Sequence, residues 1–265
     1  MTDKQYIRYS IEQRVATVVI DHPPANAFDT QTVSELSEAL DELLANDEVK
    51  VIILTGGGQM AFVAGADINE IRAILSSDDP PGKLAAASKG GQELFVKIER
   101  SPKPVIAAIN GFCLGGGLEL AMACHIRIAG DRVRLGQPEI NLGIIPGWGG
   151  TQRLARLLSK GKAIEMILTG DQITAQEAKA LGLVNLVVPG DAVIRQATGL
   201  ARKIAAKGGL ALAAALRAIT TGLEGALSAG LAIEREQFAG LAASSDAREG
   251  IDAFLAKRPA EFKDK

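Results

Sequence analysis

Two glutamates in glycine-rich sequence are the first groups in this chain whose type and spacing suit chemistry. Glu119 follows three consecutive glycines, Gly115, Gly116 and Gly117, in the segment GFCLGGGLELA. Such a run does not belong inside a regular element, because glycine loses more backbone entropy on ordering than any other residue. The helix formers of LELAMA follow at once. The glycines are therefore expected at the mouth of a helix, where unpaired N–H groups and the helix dipole favour negative charge. Glu119 then stands roughly one turn further in. The pattern reads as an anion cradle with an acid or base beside it, or as tight helix–strand packing with a solvated Glu119. Glu139 lies in LGQPEINLGIIPGWGGTQRL, a glycine- and proline-marked loop leading into a helix at about Thr151. Its neighbours Ile140, Leu142, Ile144 and Ile145 are apolar, and a carboxyl in apolar company holds its proton nearer neutrality. A solvated loop glutamate is the alternative. Two carboxyls so placed suit general acid–base chemistry.

Composition narrows the chemistry. The chain has 265 residues, enough for one large domain or a core with a small appendage, and 47% of them are hydrophobic. Only 4% are aromatic, so Ala, Leu, Ile and Val must build the core. With 29 basic against 31 acidic residues, the net charge of −2 lacks the basic excess that nucleic-acid binding needs. The only cysteines, Cys113 and Cys124, sit in apolar sequence and are expected to pack. His22 and His125 are the only histidines, which argues against a His/Cys metal site and leaves a serine–histidine hydrolase two candidates. No P-loop or G-x-G-x-x-G fingerprint follows a strand. No uncharged apolar stretch is long enough to span a membrane, and MTDKQYIRYS is not a signal peptide. A soluble, cytoplasmic protein without a membrane partner is expected.

The elements that must position the glutamates follow an α/β pattern. Strands are expected at 5–11, 15–20, VKVIILTG, KPVIAAIN, CHIRIAG, RVRLG and LVNLVV. Helices are expected at about 31–46, near INEIRAIL, at 85–100 and after the three glycines. FVAGAD reads as a turn and SSDDPPGK as a polar, proline-rich loop. Residues 192–257 are alanine-rich and helical. Their apolar faces either pack on a core of their own or bury contacts between subunits.

Four segments carry a resemblance: AFVAGADI (61–68), KPVIAAINGFCLGGGLELA (103–121), GQPEINLGIIPGWGGTQRL (136–154) and LTGDQITAQEAKALGLVN (168–185). In this order and spacing they resemble the enoyl-CoA hydratase (crotonase) family, and the similarity runs over essentially the whole chain. The resemblance implies an α/β fold, a crotonase-type spiral of repeated ββα units over 1–200 that holds the CoA and active sites. It also implies a helical C-terminal region, 201–265, that builds a homotrimer or a hexamer of two trimers. The implied substrate is an acyl-CoA thioester, with no separate cofactor and no metal, coenzyme A being part of the substrate. Backbone N–H groups of Ala66 and Gly116 are implied as the oxyanion hole. Glu119 is implied to activate water, Glu139 to donate a proton, and the Gly147 backbone to support the arrangement. The CoA adenine is implied to lie along Ala64, Asp67 and Ile68, while Asp67 also suits a helix cap. Lys263 is implied to offer its charge to a neighbouring subunit's CoA. Both glutamates together point to hydration of a 2-enoyl-CoA to a 3-hydroxyacyl-CoA, as in fatty-acid β-oxidation. The alternatives are a Δ3-Δ2 isomerase or another acyl-CoA lyase on the same scaffold, and a non-catalytic binding protein. Departures from the family pattern are His125 in place of an aspartate, HPPANAF near the N-terminus, and Trp148, which either narrows the acyl pocket or packs on the core.

Overall fold

The computed structural model describes residues 4–265. The chain opens with an antiparallel hairpin, β1 (Ile7–Glu12) and β2 (Val15–Ile20). Helix α1 (Thr30–Ala45) follows, its first turn capped by Asp29, which accepts from the Thr32 N–H at 2.7 Å. It returns the chain to β3 (Val51–Gly56), parallel to β2. From there one unit repeats: a longer strand, a three-residue strand, and a helix. Strand β3 leads to β4 (Ala61–Val63) and then to α2 (Ile68–Leu75) and α3 (Pro80–Glu99). Strand β5 (Val105–Ile109) leads to β6 (Phe112–Leu114) and α4 (Gly116–Ala123). Strand β7 (Ile126–Gly130) leads to β8 (Arg134–Gly136), a 3-10 turn at Pro138–Leu142, and helices α5 (Gly150–Leu157) and α6 (Lys160–Thr169). The chain continues through β9 (Gln172–Thr174), α7 (Ala175–Ala180), β10 (Leu186–Val188), α8 (Val193–Ala205), α9 (Gly209–Gly222), α10 (Leu227–Gly240) and α11 (Ser245–Leu255).

Two sheets result, in the orders β1-β2-β3-β5-β7-β10 and β4-β6-β8-β9. The longer strands β3, β5 and β7 are parallel neighbours in the first. The short strands β4, β6 and β8 are parallel neighbours in the second, in the same order. Each unit is therefore displaced from the last by one strand in both sheets. This is the spiral of ββα units, and the mixed α/β class, that the resemblance implied.

The central strands of the first sheet are buried on both faces. Ile52 and Leu54 of β3 join a core with Ile20, Leu36, Phe62, Phe95, Leu118 and Leu120, between this sheet and α1, α3 and α4. Val51 and Ile53, pointing the other way by the period of two, join Ile106, Ala108 and Ile128 beneath α8. Helix α8 meets them with Val193, Ala197, Ala201 and Ala205, one stripe at a spacing of four. Burial on both faces explains why VKVIIL reads as an unbroken apolar run. Each large aliphatic side chain so buried contributes about 1.5–3 kcal/mol.

The structure corrects several expectations. SSDDPPGK is only partly loop: Asp79 caps α3, accepting from the Gly82 N–H at 3.0 Å, and Pro80 and Pro81 occupy its first positions. Proline suits that place, because the N–H it lacks has no partner in a first turn. FVAGAD is not simply a turn, since Ala61–Val63 is strand β4. LVNLVV is strand only over Leu186–Val188. The alanine-rich tail divides into four helices, and the division expected at 200/201 falls inside α8, which packs on the sheet. Among the described residues no single helix is long and apolar enough to cross a membrane.

Helix α4 is buried along its whole length, and Gly117 lies against β4: a Cβ there would clash with the Val63 carbonyl oxygen and stand 2.8 Å from its carbon. Gly117→Ala is expected to cost about 1–3 kcal/mol through overpacking. Gly199→Ala, in an open helical position on α8, is expected to stabilise by about 0.4–1 kcal/mol. Urea unfolding of both variants at one protein concentration checks the contrast; equal midpoints would contradict this packing.

Candidate active site

A cavity of about 880 Å³ lies where α2, α3, the mouth of α4 and the segment 138–152 meet. Glu119 points into it from the first turn of α4 and is 2% exposed. Its Oε1 accepts two main-chain hydrogen bonds, from the Trp148 N–H at 2.8 Å and the Gly150 N–H at 2.6 Å. Burial pushes its pKa up to about 7, against the Gly150 bond, and the charge of Glu139 adds to the rise. The carboxyl is thus dehydrated yet held, which keeps both protonation states accessible near neutrality.

Glu139 enters from the 3-10 turn that follows β8. Burial raises its pKa to about 7 as well. Of its apolar sequence neighbours, Leu142 and Ile145 stay 56% and 64% exposed at the cavity, while Ile140 and Ile144 are half-buried. The carboxyl lies against Gly115, where a Cβ would stand 2.8 Å from Oε1. Gln137 is wholly buried, and with its amide turned the way that satisfies both ends, its nitrogen donates to both Glu139 oxygens at 3.1 Å. A Cβ on Gly150 would meet Glu119 Oε1 at 2.9 Å and the Gln137 amide at 3.0 Å, so that amide also lies near the glycine that holds Glu119. Nothing in composition or periodicity singled out Gln137; its place two residues before Glu139 was the only signal.

The Ala66 and Gly116 peptides border the same cavity. Phe28 bridges Ala66 in parallel fashion, donating to the Gly65 carbonyl at 2.8 Å and accepting from the Asp67 N–H at 2.7 Å. That pattern turns the Ala66 N–H away from Phe28. Gly116 opens α4, so its N–H has no partner within the helix. A Cβ on Gly116 would lie only 3.8 Å from the Ala66 nitrogen. The two approach through Gly65 and Gly115, whose φ angles of 119° and 53° fall where side chains are strained.

The other expected residues are distributed as follows. Ala64, Asp67 and Ile68 line the cavity beside Ala66. Asp67 also caps α2, accepting from the Asn69 N–H at 2.6 Å. Gly147 lines the cavity too, but the N–H groups that reach Glu119 belong to Trp148 and Gly150. The Gly147 carbonyl is itself held from α3 by Ser88 Oγ at 2.6 Å and Gln92 Nε2 at 2.9 Å. Lys263 is exposed and borders no part of the cavity in the single chain, its N–H donating to Asp246 at 2.7 Å. His125 is structural: Nδ1 accepts from the Val105 N–H at 2.9 Å, and burial holds its pKa below the usual value. His22 stacks on Tyr6 with ring centroids 3.8 Å apart. Neither histidine borders the cavity, so a serine–histidine reading has no base there. Among the described residues no three His, Cys, Asp or Glu side chains are placed to hold a metal ion.

Comparison with known proteins shows the family. Residues 10–265 match the family model described as enoyl-CoA hydratase/isomerase. The chain belongs to this family. It is 44% identical to a Bacillus subtilis protein named "probable enoyl-CoA hydratase", over 97% of this chain and 98% of the relative. It is 41% identical to a short-chain-enoyl-CoA hydratase of Clostridium acetobutylicum, over 94% of each. The crystal structure of an enoyl-CoA hydratase from Bacillus anthracis superposes with a TM-score of 0.93 at 39% identity, covering 98% of this chain and all, 100%, of that one.

The raised carboxyl values carry a stability consequence. A carboxyl whose folded pKa exceeds its unfolded value ionises at a cost to the fold. For Glu139 the cost is absent below about 4.5, grows as pH rises, and is complete above about 7. Glu139→Gln is therefore expected to be more stable than the parent at pH 8, by up to about 3 kcal/mol, with the gap closing near pH 4.5. Urea midpoints at the two pH values, at fixed protein concentration, check this; a gap that does not depend on pH would contradict it.

Proposed function

We propose that this chain is a 2-enoyl-CoA hydratase, adding water across the 2,3 double bond of an acyl-CoA thioester to give a 3-hydroxyacyl-CoA. One arrangement supports the reading: two carboxyls, both with pKa raised to about 7, line one cavity with the Ala66 and Gly116 peptides, which come close enough that a Cβ on Gly116 would lie 3.8 Å from the Ala66 nitrogen. The N–H groups of Ala66 and Gly116 receive the thioester oxygen. They stabilise the negative charge that builds there as water attacks, an effect worth about 2.7–4 kcal/mol for one such donor. Glu119, held by Trp148 and Gly150, takes a proton from water as its oxygen bonds to C3. Glu139 gives its proton to C2, so the elements of water are added with none left over. The CoA portion runs out past Ala64, Asp67 and Ile68.

The hydratase names of the relatives support the same choice. Moving a 3-enoyl double bond needs only one carboxyl to shuttle a proton, so the pair favours hydration over isomerisation. It equally disfavours a scaffold that has lost turnover. Large apolar side chains remain exposed on the C-terminal helices of the single chain, among them Leu223, Leu227, Phe238 and Phe254 at 77–82%. They support a cytoplasmic homotrimer, or a hexamer of two trimers, in which this face is covered and Lys263 reaches a neighbour's CoA.

Purified protein is expected to consume the conjugated absorbance of crotonyl-CoA, and Glu139→Gln to lower kcat by about 10²–10⁴ while CoA-ester binding persists. Full activity in that variant rejects the acid role. The kcat/KM profile is expected to be bell-shaped with its maximum near pH 7: it falls on the acid side as Glu119 takes up a proton and on the alkaline side as Glu139 loses one. A profile that is flat from pH 5 to 9 rejects the paired mechanism.

A further inference from the structure

One side chain closes the inner end of the cavity. Trp148 borders the cavity, whereas Phe28, Phe95 and Gly91 behind it do not. The indole packs on Phe28 and Phe95 at centroid distances of 5.8 and 5.7 Å. Gly91 on α3 makes room for it, since a Cβ there would run into the ring. Gly116 makes room on the other side, where a Cβ would lie 2.8 Å from Cζ3. The peptide is pinned as well: the Trp148 N–H is on Glu119, its carbonyl accepts from Arg153 Nη1 at 3.0 Å, and the preceding carbonyl of Gly147 takes Ser88 and Gln92. Ser88, Gly91 and Gln92 are one face of α3, at the spacing of three and four that brings helical residues together. The ring is thus seated between Gly91 and Gly116 against Phe28 and Phe95.

We propose that Trp148 sets the upper length of the acyl chain and confines the protein to short 2-enoyl thioesters. The inference rests on the hydratase reading. With the thioester oxygen on the Ala66 and Gly116 N–H groups and C3 beside Glu119, the carbons past C3 run against the indole, because the ring borders the cavity directly beside Gly116, where a Cβ would stand 2.8 Å from Cζ3. A packed apolar wall discriminates sharply, since one methylene changes specificity by roughly 10–200-fold.

Trp148 is the only tryptophan, so its fluorescence reports occupancy without turnover. Butyryl-CoA, which cannot be hydrated, is expected to shift the emission once calorimetry shows the site saturated, and coenzyme A alone is not. An unshifted emission with bound butyryl-CoA overturns the placement of the indole at the acyl end. In turnover, kcat/KM for crotonyl-CoA is expected to exceed that for trans-2-decenoyl-CoA by at least about tenfold. Trp148→Ala is expected to shrink that ratio by about tenfold or more, with Trp148→Phe between. If the alanine variant does not fold, the phenylalanine variant decides alone. A wild-type protein that hydrates both esters equally, or a ratio unchanged in the folded variants, overturns the proposal. Absence of turnover with every ester strikes the hydratase reading instead, and the fluorescence arm still decides where the indole lies.

Discussion

The rest of the site depends on how Glu119 is held. A carboxyl 2% exposed on an otherwise apolar, wholly buried helix would cost the fold several kcal/mol if left unpaired. Its partners are two main-chain N–H groups from a loop about thirty residues later, those of Trp148 and Gly150. The loop must therefore be in place before the helix can carry its acid, and the structure invests heavily in placing it. Ser88 and Gln92 hold one carbonyl, Arg153 the next, and the indole is wedged between α3 and α4. Backbone donors accept either protonation state of the acid without moving, which a lysine or arginine partner would not permit. Burial raises the pKa to about 7, and the two backbone bonds hold it from rising further.

The ββα repeat explains how distant residues meet. Ala66 follows β4, Gly116 follows β6 and Glu139 follows β8. These three strands are parallel neighbours, so their carboxyl ends lie side by side at the usual inter-strand spacing of about 4.8 Å. Each turn of the spiral thus brings part of the cavity wall to the same edge: Ala66 from the first, Gly116 with Glu119 behind it from the second, and Glu139 from the third. Gly65 and Gly115 stand at equivalent positions in successive repeats, and both take up positive φ as the chain leaves its short strand. The site is a property of the stacking and not of any one segment.

Dehydration serves chemistry and taxes the fold through the same residues. Ionising Glu139 costs stability over the pH range in which its proton becomes available to a substrate. Large buried cores on both faces of the first sheet offset that cost.

The sequence alone determined the α/β class, the strands of the first sheet, the helix mouth at Gly115–Gly117 and the presence of two unusual glutamates. Those features are local: an apolar run, a glycine cluster and a helical period are visible in a window of ten residues. The resemblance added the family. Of the second sheet only β8, within RVRLG, was expected; β4, β6 and β9 were hidden because strands three residues long are too short for any period to show. PPGK read as loop because proline marks both loops and first turns of helices. Only the tertiary structure decided that Glu139 lies against Gly115, that Trp148 and Gly150 hold Glu119, and that Gly91 clears space for the indole. Each of these is a contact across the spiral, made by backbone or by residues of unremarkable type, and one-dimensional order carries no signal for it.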